Sequence, residues 1–418
     1  MKVSVIGLGY IGLPTAALLA SRKIEVIGVD VNQKAVDTIN QGETHFLESE
    51  LDMLVKEAVK SNYLRATKQP EKADVFILAL PTPLKGNNEP DISYIESVAK
   101  AIATLLEKGN LVILESTSPV GTTEKMVNWF REIRPDLVFP KYSGDGSEVD
   151  ISIAHCPERV LPGNIVKELI ENDRIIGGVT TNCAELASDF YKIFVQAECL
   201  ITDCRTAELS KLIENSYRDV NIAFANELSL ICDKFDINVW NLIKLTNRHP
   251  RVNILQPGPG VGGHCIAVDP WFVVNAVPDE SKLIYTARLV NDSKPNFVLE
   301  KIHEAVTAIG KDKSELSIAC LGLAFKPDID DLRESPAMKI AKQVRLMGFF
   351  KQYIVEPNIS HLPEDFDRNL TELVELKVAV EFSDVVVLLV DHSQFQEIDH
   401  VLLKQKQLVD TRGIWSSL

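Results

Sequence analysis

Short apolar runs alternate with longer segments of mixed polarity through the first half of the chain. The runs are rich in Val, Ile and Leu and continuous rather than alternating, which is typical of strands covered on both faces. Intervening segments such as 11–21 and 95–108 have the length and composition of helices. Strands and helices that alternate in this way predict a parallel, doubly wound α/β sheet. The predicted strands are residues 3–7, 25–30, 75–80, 111–115 and 174–178.

A different pattern begins near Thr206, where the strand pattern stops until about Thr246. Apolar residues recur there at spacings of three, four or seven, which predicts one long amphipathic helix. Neither Gly nor Pro interrupts this helix before Asp233, whereas the Pro/Gly-rich segment 256–263 predicts a loop. The apolar positions of the helix are Leu209, Leu212, Ile213, Val220, Phe224, Leu228 and Ile231.

Strand patterns resume after the loop, at residues 316–323, 351–355, 384–390 and 407–410. They predict a second, smaller α/β domain. The fold class is therefore α/β, with two doubly wound domains joined by a long central helix. We place the first domain at residues 1–200, a central helical region at 201–300 and the last domain at 301–418.

Acidic residues outnumber basic ones by 59 to 44, which gives a formal net charge of -15. That balance argues against general binding to nucleic acid or anionic membranes, although a local basic pocket can still hold a small polyanion. The N-terminus enters the first strand with no signal-peptide features, and apolar runs such as 385–390 are too short to span a bilayer. Seven cysteines without CxxC spacing predict neither a disulfide framework nor a zinc site. The sequence thus predicts a cytoplasmic, reduced protein without a metal.

The segment 7–12, GLGYIG, follows an apolar strand and opens a helix. Such glycines allow a tight turn and close approach of the backbone to a pyrophosphate, and the helix N-terminus supplies N–H donors. Asp30 ends the next strand, where a carboxylate can bind ribose hydroxyls and repel a 2′-phosphate. The pattern predicts a Rossmann-like site for NAD rather than NADP; the alternative is a turn that serves packing only. The candidate residues of the segment are Gly7, Gly9, Tyr10, Ile11 and Gly12.

Hydroxyl side chains follow two further strands of the same predicted sheet. Thr82 comes after the strand 75–80, and Thr117 comes after the strand 111–115. Ligands of open α/β sheets bind at these strand ends, so either hydroxyl could contact the cofactor. Position alone explains them equally well as caps of turns or helices.

Cys265 lies directly after the Gly-rich loop. Glycines give a substrate access to the thiol, which needs help to form the thiolate because its ordinary pKa is about 8.5. We therefore predict that Cys265 is a nucleophile, whereas the other cysteines are expected to be small buried hydrophobic residues.

Lys211 and Asn215 are four residues apart on the long helix, so both project from one face, with Arg218 about one turn further on. Such a row is usually a solvated helix face. Apolar neighbours on both sides of Lys211 argue for burial and function instead. The spacing leaves both interpretations open.

Several motifs together resemble the UDP-glucose/GDP-mannose dehydrogenase family over essentially the whole chain. They occur in family order along with the Lys211/Asn215 helix. The resemblance implies an NAD-binding first domain and a UDP-sugar-binding last domain. The matching segments are 7–12 (GLGYIG), 116–122 (STSPVGT), 156–159 (CPER), 258–269 (GPGVGGHCIAVD), 322–327 (GLAFKP) and 333–336 (RESP).

The resemblance also implies an activity, the four-electron oxidation of a sugar C6 alcohol to a carboxylate by two NAD. The segments 249–253 (HPRVN) and 261–272 (VGGHCIAVDPWF) are similar to members that act on UDP-N-acetyl-D-mannosamine, for the synthesis of surface polysaccharide precursors. Members that act on UDP-glucose typically carry Lys before the aspartate, where Val268 stands here. The expected substrate is therefore a UDP-N-acetylhexosamine.

Roles of individual residues follow from the same resemblance. Cys265 would capture the aldehyde as a thiohemiacetal and then as a thioester. Lys211 and Asn215 would stabilise oxyanions at C6, with Lys211 also exchanging protons. Glu158 matches the hydrolytic carboxylate and Asp269 the water-positioning one, although the residues alone favour an ordinary surface or capping role for each.

Substrate and cofactor contacts are implied as well. A diphosphate needs cationic partners, which reconciles a basic site with an acidic chain. Arg333 matches a contact to NAD. The resemblance also implies a homodimer and suggests that Arg251 reaches the neighbouring subunit's substrate. The implied UDP-sugar contacts are Arg159, Val160, Lys211, Asn215, Arg218, His249, Arg251, Gly262, Phe325, Lys326 and Arg412.

Other functions remain open from the sequence. The nearest is the same oxidation of UDP-N-acetylglucosamine, because a C2 epimer is distinguished by the shape of a pocket. A two-electron hydroxyacid dehydrogenase of similar domain order would not need Cys265. A non-catalytic sensor of NAD or a nucleotide sugar would not need the thiol either, so Cys265 together with Lys211 and Asn215 favours an enzyme.

Overall fold

The structure, a computed structural model, describes residues 1–46, 48, 50–142, 148–160 and 163–415. The chain divides into two units, Met1–Glu214 and Asn215–Leu418. The division falls inside one long helix, Cys204–Lys234. Within the described residues, no helix is at once long enough and apolar enough to cross a membrane.

Strands and helices alternate along the N-terminal unit. Its strands are β1 (Lys2–Ile6), β2 (Glu25–Val29), β3 (Leu64–Thr67), β4 (Val75–Leu78), β5 (Leu84–Lys85), β6 (Glu89–Pro90), β7 (Leu111–Leu114), β8 (Ser152–His155), β9 (Arg174–Gly178) and β10 (Cys199–Asp203). Its helices are α1 (Gly12–Ser21), α2 (Gln33–Asn40), α3 (Leu51–Lys60), α4 (Ser93–Ala103), α5 (Thr122–Ile133), α6 (Ile165–Glu171) and α7 (Thr181–Tyr191), and α8 (Cys204–Lys234) begins in this unit.

In the described part of this unit, eight strands form one sheet in the order β10-β9-β8-β7-β4-β1-β2-β3. Neighbouring strands run parallel, except that β8 and β9 pair antiparallel. Apolar clusters cover both faces, because successive side chains of a strand point to opposite sides. On β4, Ile77 packs into one cluster, while Phe76 and Leu78 pack into the other. The prediction of a doubly wound sheet with both faces buried is confirmed.

The order of the strands decides where the sheet can bind a ligand. From β1 the chain moves to β2 on one side and later to β4 on the other, so the strand order reverses between β1 and β4. Open α/β sheets bind ligands outside the carboxyl ends of their strands at such a reversal. The turn 7–12, Asp30, Thr82 and Thr117 all follow the carboxyl ends of neighbouring strands β1, β2, β4 and β7.

The C-terminal unit contains the rest of α8 and a second sheet. Its helices are α9 (Val239–Thr246), α10 (Asp269–Ala276), α11 (Lys282–Ile309), α12 (Pro336–Leu346), α13 (Leu376–Phe382) and α14 (His400–Leu403). Its strands are β11 (Ser317–Leu321), β12 (Lys351–Val355), β13 (Thr371–Leu373), β14 (Val385–Leu388) and β15 (Gln407–Asp410). In the described residues these five strands pair in parallel in the order β13-β12-β11-β14-β15. The second α/β domain predicted from the sequence is confirmed.

The same glycine turn follows one strand of each sheet, β1 in the first and β11 in the second. Gly7 after β1 has a φ of +93°, and Gly322 after β11 has a φ of +92°. Each glycine N–H donates to the last residue of the neighbouring strand at 2.8 Å, Val29 O in one case and Val355 O in the other. The sequence showed no short internal repeat, so this similarity is visible only in the backbone geometry.

The main differences from the predicted elements are short strands. β3, β10 and β13 were not predicted, because their polar residues interrupt the apolar pattern, as Thr202 and Asp203 do in β10. The long helix predicted from about Thr206 to about Asp233 is observed at Cys204–Lys234, and α9 follows it as a separate helix. Asp236, with a φ of +55°, lies between the two helices.

His155 is an unusual member of the N-terminal core. The side chain is fully buried, and neither ring nitrogen has a hydrogen-bond partner among the described residues. Burial lowers the pKa of His155 to about 3, because the charged imidazolium would lose its hydration. The ring is therefore neutral in the folded protein.

We expect His155 to weaken the fold in acid. The unfolded chain takes up a proton below a pH of about 6.5 while the folded protein does not until about 3, so the free energy of unfolding falls as the pH drops through this window. Between about pH 7.5 and 5.5 the loss due to His155 is about 1.4 kcal/mol. For the variant His155→Leu, the free energy of unfolding measured with urea should fall by about 1.4 kcal/mol less than for the wild type between these two pH values. An equal acid-induced loss in both proteins would contradict the assignment.

Candidate active site

Glycines at 7–12 form the tight turn between β1 and α1. A Cβ on Gly7 would lie 2.2 Å from Ala79 O, and one on Gly12 would lie 1.7 Å from Gly7 O. A Cβ on Gly9 would instead meet no atom within 4 Å. Packing therefore explains Gly7 and Gly12 but not Gly9, which keeps space open at the N-terminus of α1. The space and the helix N-terminus fit the pyrophosphate of NAD.

The Asp30 carboxylate stabilises this turn by accepting hydrogen bonds from backbone N–H groups. Its Oδ2 accepts a hydrogen bond from Leu8 N at 3.0 Å, and its Oδ1 accepts one from Asn32 N at 2.8 Å. A carboxylate oxygen has more than one acceptor position, so each oxygen can still accept from a ribose hydroxyl. Tyr10 is exposed beside the turn, and Ile11 directly precedes α1.

Thr82 and Thr117 are brought together at the ends of β4 and β7. The Thr82 hydroxyl donates to Thr117 O at 2.7 Å. The neighbouring Ser116 hydroxyl accepts from Leu80 N at 2.7 Å and donates to Leu78 O at 3.1 Å. The hydroxyl groups thus join the two strand ends, and Thr82 Oγ1 retains its lone pairs for a ligand.

Glu208 is a residue of this region that the sequence analysis missed. Its Oε1 accepts from Thr123 N at 2.8 Å and Thr123 Oγ1 at 2.6 Å, and its Oε2 accepts from Gly121 N at 2.6 Å. The carboxylate therefore caps the N-terminus of α5. Burial raises the pKa of Glu208 to about 7 despite these donors. Its position three residues before Lys211 on α8, on the same helix face, was the available signal.

Lys211 and Glu158 form a buried ion pair in the N-terminal unit. Lys211 Nζ lies 3.1 Å from Glu158 Oε1, and the two side chains are 8% and 12% exposed. Glu158 Oε2 accepts from Val160 N at 3.0 Å. The next residue, Arg159, pairs with Glu214 at 2.7 Å. Burial with a lysine partner argues against the interpretation of Glu158 as an ordinary surface residue, and against a solvated face at Lys211.

Asn215 and Asp269 form a second buried pair, in the C-terminal unit. Asn215 Nδ2 donates to Asp269 Oδ2 at 2.6 Å, and both side chains are buried. Asp269 begins α10, and its N–H donates to Cys265 O at 2.8 Å. Cys265 is exposed, as a nucleophile must be. Of the six other cysteines, which were expected to be buried, five are buried and Cys199 is only partly buried. The backbone thus connects the exposed thiol to the Asn215–Asp269 pair.

Phe325 covers the two glycines that precede His264 and Cys265. A Cβ on Gly262 would lie 2.9 Å from Phe325 Cβ, and one on Gly263 would lie 3.0 Å from the Phe325 ring. Gly263 also has a φ of +84°, which favours glycine. The close approach explains why glycine occupies both positions.

Two of the predicted cationic contacts are held in place by carboxylates. Arg333 donates to Asp331 from Nε at 2.8 Å and from Nη2 at 2.6 Å. Arg412 Nε donates to Asp391 Oδ1 at 2.7 Å, and its Nη1 would lie 2.5 Å from a Cβ on Gly258. The second guanidinium therefore lies against the backbone of the Gly-rich loop.

The other predicted contacts lie at the surface of the C-terminal unit. Arg218, Arg251, His249 and Lys326 are exposed, and His249 Nδ1 accepts from Arg251 N at 3.3 Å. The buried polar row of α8 continues from Asn215 through Asp219, not through Arg218. Arg218 is exposed, so it is not part of the buried row, and its contact with a substrate stays a prediction.

The chemistry of the two units is complementary. The N-terminal unit offers a dinucleotide-binding turn and a buried lysine–carboxylate pair that can move a proton. The C-terminal unit offers an exposed thiol connected to a buried amide–carboxylate pair, and guanidinium groups suited to a diphosphate. Taken unit by unit, the dinucleotide-binding turn is the feature of an NAD-dependent dehydrogenase, and the exposed thiol is the candidate nucleophile of such an enzyme.

Comparison with known proteins gives the family. Residues 1–195 match the NAD-binding domain of the UDP-glucose/GDP-mannose dehydrogenase family, 205–293 match its central domain and 319–417 match its UDP-binding domain. The chain belongs to the UDP-glucose/GDP-mannose dehydrogenase family. The resemblance inferred from the motifs, the NAD cofactor and the Rossmann-like fold class are confirmed.

Individual relatives cover nearly the whole chain. A UDP-N-acetyl-D-mannosamine dehydrogenase of Yersinia pestis is 58% identical over 417 residues, 99% of each chain. An NDP-N-acetyl-D-galactosaminuronic acid dehydrogenase of Ralstonia nicotianae is 57% identical over 415 residues, 99% of this chain and 96% of the relative. The solved structure of a UDP-D-ManNAc dehydrogenase from Pyrococcus horikoshii is 38% identical, with a TM-score of 0.87 over 99% of this chain and 96% of its own.

Gly9 allows a selective test of the cofactor site. Gly9→Ala meets no atom of the chain, so the melting temperature should stay close to that of the wild type. If the pyrophosphate occupies this space, the Kd for NAD should rise about tenfold or more, about 1.4 kcal/mol, measured by titration calorimetry. Gly7→Ala is the contrasting variant, because its Cβ collides with Ala79 O and it should lose stability as well. NAD binding by Gly9→Ala at wild-type affinity would place the cofactor elsewhere.

Proposed function

We propose that this protein oxidises C6 of UDP-N-acetyl-D-mannosamine to a carboxylate, forming UDP-N-acetyl-D-mannosaminuronate for surface polysaccharide precursors. The observation that carries the proposal is the exposed Cys265 on a glycine loop, connected through the backbone to the buried Asn215–Asp269 pair. A two-electron dehydrogenase or a binding protein has no need for a thiol in that position. The names of relatives 58% identical over the full length supply the sugar.

The first oxidation gives an aldehyde. When bound, NAD accepts a hydride from C6 in each of the two oxidations. Lys211 is placed to stabilise the oxygen anion that forms as the alcohol loses its proton, and the Glu158 carboxylate 3.1 Å away can take that proton from Lys211. Asp269 accepts only, so it fixes the nitrogen of the Asn215 amide, whose second N–H we assign to the same substrate oxygen.

The second oxidation proceeds on the thiol. Cys265 Sγ bonds to the aldehyde carbon as the carbonyl oxygen takes up a proton, which gives a thiohemiacetal. Loss of a proton and a hydride from this adduct gives the thioester. Water then attacks the carbonyl carbon, the C–S bond breaks and the thiolate leaves with the acid released. We assign Glu158 and Asp269 to activating and positioning this water.

Binding of the UDP-sugar requires cations and a shaped surface. We propose that guanidinium groups neutralise the diphosphate, with Arg412 oriented by Asp391, and that Arg333 contacts NAD together with the turn residues, Thr82 and Thr117. The proposed UDP-sugar contacts are Arg159, Val160, Arg218, His249, Arg251, Gly262, Phe325 and Lys326, together with Lys211 and Asn215. Because Cys265 must stay reduced, we infer that the enzyme works in the cytoplasm.

The sugar itself needs a direct comparison. Relatives of nearly equal identity carry names for different N-acetylhexosamines, so overall identity does not select the epimer. A panel should contain the UDP-activated N-acetyl forms of mannosamine, glucosamine and galactosamine, and UDP-glucose. The highest kcat/KM should be obtained with UDP-N-acetyl-D-mannosamine. A higher value with another member of the panel would replace the proposed substrate without changing the chemistry.

The stoichiometry and the thiol form the main test. Wild-type protein should yield two NADH per UDP-sugar, and Cys265→Ser should lose acid formation by about a thousandfold or more while it still binds both ligands, because a serine hydroxyl is a far weaker nucleophile at neutral pH. NADH absorbance measures the yield of NADH per UDP-sugar, and mass spectrometry of the product measures the acid that is formed. One NADH per sugar would favour a two-electron dehydrogenase. Acid formed by Cys265→Ser at a rate near wild type would exclude the covalent mechanism.

We also propose a homodimer formed along α8. The helix exposes Leu209, Ile213, Phe224 and Ile231 by between 41% and 52%, and their spacing places them along one stripe. A second copy across a twofold axis would bury such a stripe. This matches the expectation that Arg251 serves the neighbouring subunit.

Mixed dimers test that arrangement. If Arg251 acts across the interface, pairing an Arg251→Ala chain with a Cys265→Ser chain should restore one working site, or about half of the wild-type kcat per dimer. Each homodimeric variant alone is the control. Mass photometry should find a dimer at assay dilution. An active monomer would exclude the dimer, and mixing without recovery would mean that Arg251 has no role in the neighbouring subunit.

A further inference from the structure

The loop that carries Cys265 has no regular secondary structure between α9 and α10. Its conformation must therefore be fixed by contacts from other elements. One contact reaches the start of the Gly-rich segment, where Gly258 N donates to Asn226 Oδ1 at 2.9 Å. Asn226 lies on α8 and is fully buried.

Asn226 is one member of a buried chain of hydrogen bonds. Its Nδ2 donates to Asn291 Oδ1 on α11 at 2.8 Å. Asn291 Nδ2 donates in turn to Asp219 Oδ1 at 2.8 Å and to Asp219 O at 3.1 Å. Arg288 Nη1 also donates to Asp219 Oδ1, at 2.6 Å. The four side chains are 2% exposed or less.

The hydrogen bonds of this buried chain can have only one donor-to-acceptor order, and Asp219 fixes that order. An ionised carboxylate only accepts hydrogen bonds, so Asn291 must present its nitrogen to Asp219 and its oxygen to Asn226. Asn226 must then present its nitrogen to Asn291, which leaves its oxygen for Gly258 N. Arg288 favours the ionised form of Asp219, while burial raises the pKa of Asp219 to about 6. Asp219 therefore determines, through its side-chain and backbone oxygens together, which atom of Asn226 meets the loop.

Helices α11 and α12 approach the loop further along, at Gly260. Gly260 has a φ of +141°, and a Cβ there would lie 3.0 Å from Pro336 Cβ and 3.4 Å from Asn291 O. Asn291 thus contributes to the path of the loop twice, through its side chain and through its backbone. Cys265 follows only five residues after Gly260.

We propose that Asn226 and Asn291 are positioning residues that set the loop of Cys265 through Gly258, with Asp219 fixing the orientation of both amides. The proposal rests on the assignment of Cys265 as the nucleophile. Neither asparagine is placed in contact with substrate or cofactor. Their role is to hold the thiol where it can attack, since a displacement of about 1 Å can lower a rate about a hundredfold.

The variant Asn226→Leu removes the chain at nearly constant side-chain size and leaves Gly258 N without its acceptor. Asn221→Leu is the matched control, because Asn221 lies on the same helix and its side-chain amide donates to Tyr217 O, one turn away on that helix. Asn291→Ala is expected to have a smaller effect than Asn226→Leu. It keeps Asn226 as the acceptor for Gly258 N, but it removes the partner that fixes the orientation of the Asn226 side-chain amide. It should change the same quantities less, and it keeps the test available if Asn226→Leu does not fold.

Two readouts separate positioning from stability. The first is the rate at which iodoacetamide alkylates Cys265 in the native protein, followed by mass spectrometry of its peptide. The second is kcat per folded protein with the substrate of highest kcat/KM, alongside the Kd for NAD. For Asn226→Leu we expect alkylation to rise about threefold or more, kcat to fall about tenfold or more, and the Kd for NAD to stay within about twofold of wild type.

Other results would overturn the proposal. A lower melting temperature with alkylation and kcat unchanged would make Asn226 a purely structural residue. A fall in kcat without a change in alkylation, or equal changes in Asn221→Leu, would show that the effect does not pass through the loop. Alkylation needs no substrate, so the loop is tested even if wild-type protein oxidises none of the UDP-sugars, a result that would count against the proposed function alone.

Discussion

Turns at the carboxyl ends of parallel strands leave backbone N–H groups pointing away from the sheet, and those groups need acceptors. In this protein carboxylates from other elements supply them. Asp30 accepts from Leu8 N, Glu356 from Leu323 N and Glu208 from the first turn of α5. Each carboxylate thereby fixes a turn at the edge where open α/β sheets bind their ligands. The shape of the proposed cofactor and nucleotide sites depends on these bonds.

The same use of carboxylates explains how a chain with a net charge of -15 can serve anionic ligands. Lys211, Arg333 and Arg412 each pair with an acidic residue, so the acids orient cations as well as backbone groups. Net charge describes the whole surface and governs long-range attraction, whereas binding of a diphosphate depends on a few oriented donors at short range. The acidic composition and the proposed UDP-sugar site are therefore compatible.

Helix α8 concentrates much of the chemistry in one element. Glu208, Lys211, Asn215, Asp219 and Asn226 follow one another at spacings of three, four or seven, and all are buried. Each buried polar group needs a defined partner, because an unsatisfied one is costly in a medium of low polarity. The five side chains each make at least one hydrogen bond or ion pair, to α5, Glu158, Asp269, Arg288 and the loop at Gly258 in turn. The opposite, apolar stripe is the surface proposed for dimerisation.

The sequence by itself determined the fold class, the helix α8, the loop 256–263 and the glycine turn, because hydrophobic periodicity and glycine positions are local properties. Spacing and motif also gave Cys265, Lys211 and Asn215 as candidates, and their roles stay predictions. Tertiary structure decided what spacing could not: which strands pair, including the antiparallel β8 and β9, and which carboxylate faces which donor. Glu208 and Asn226 were not identified from the sequence, because their partners lie 85 and 32 residues away. The only local signal was the position of Glu208 on the same helix face as Lys211. In the sequence Glu158 likewise looks like any surface glutamate. Only the tertiary structure buries it beside Lys211 as an ion pair.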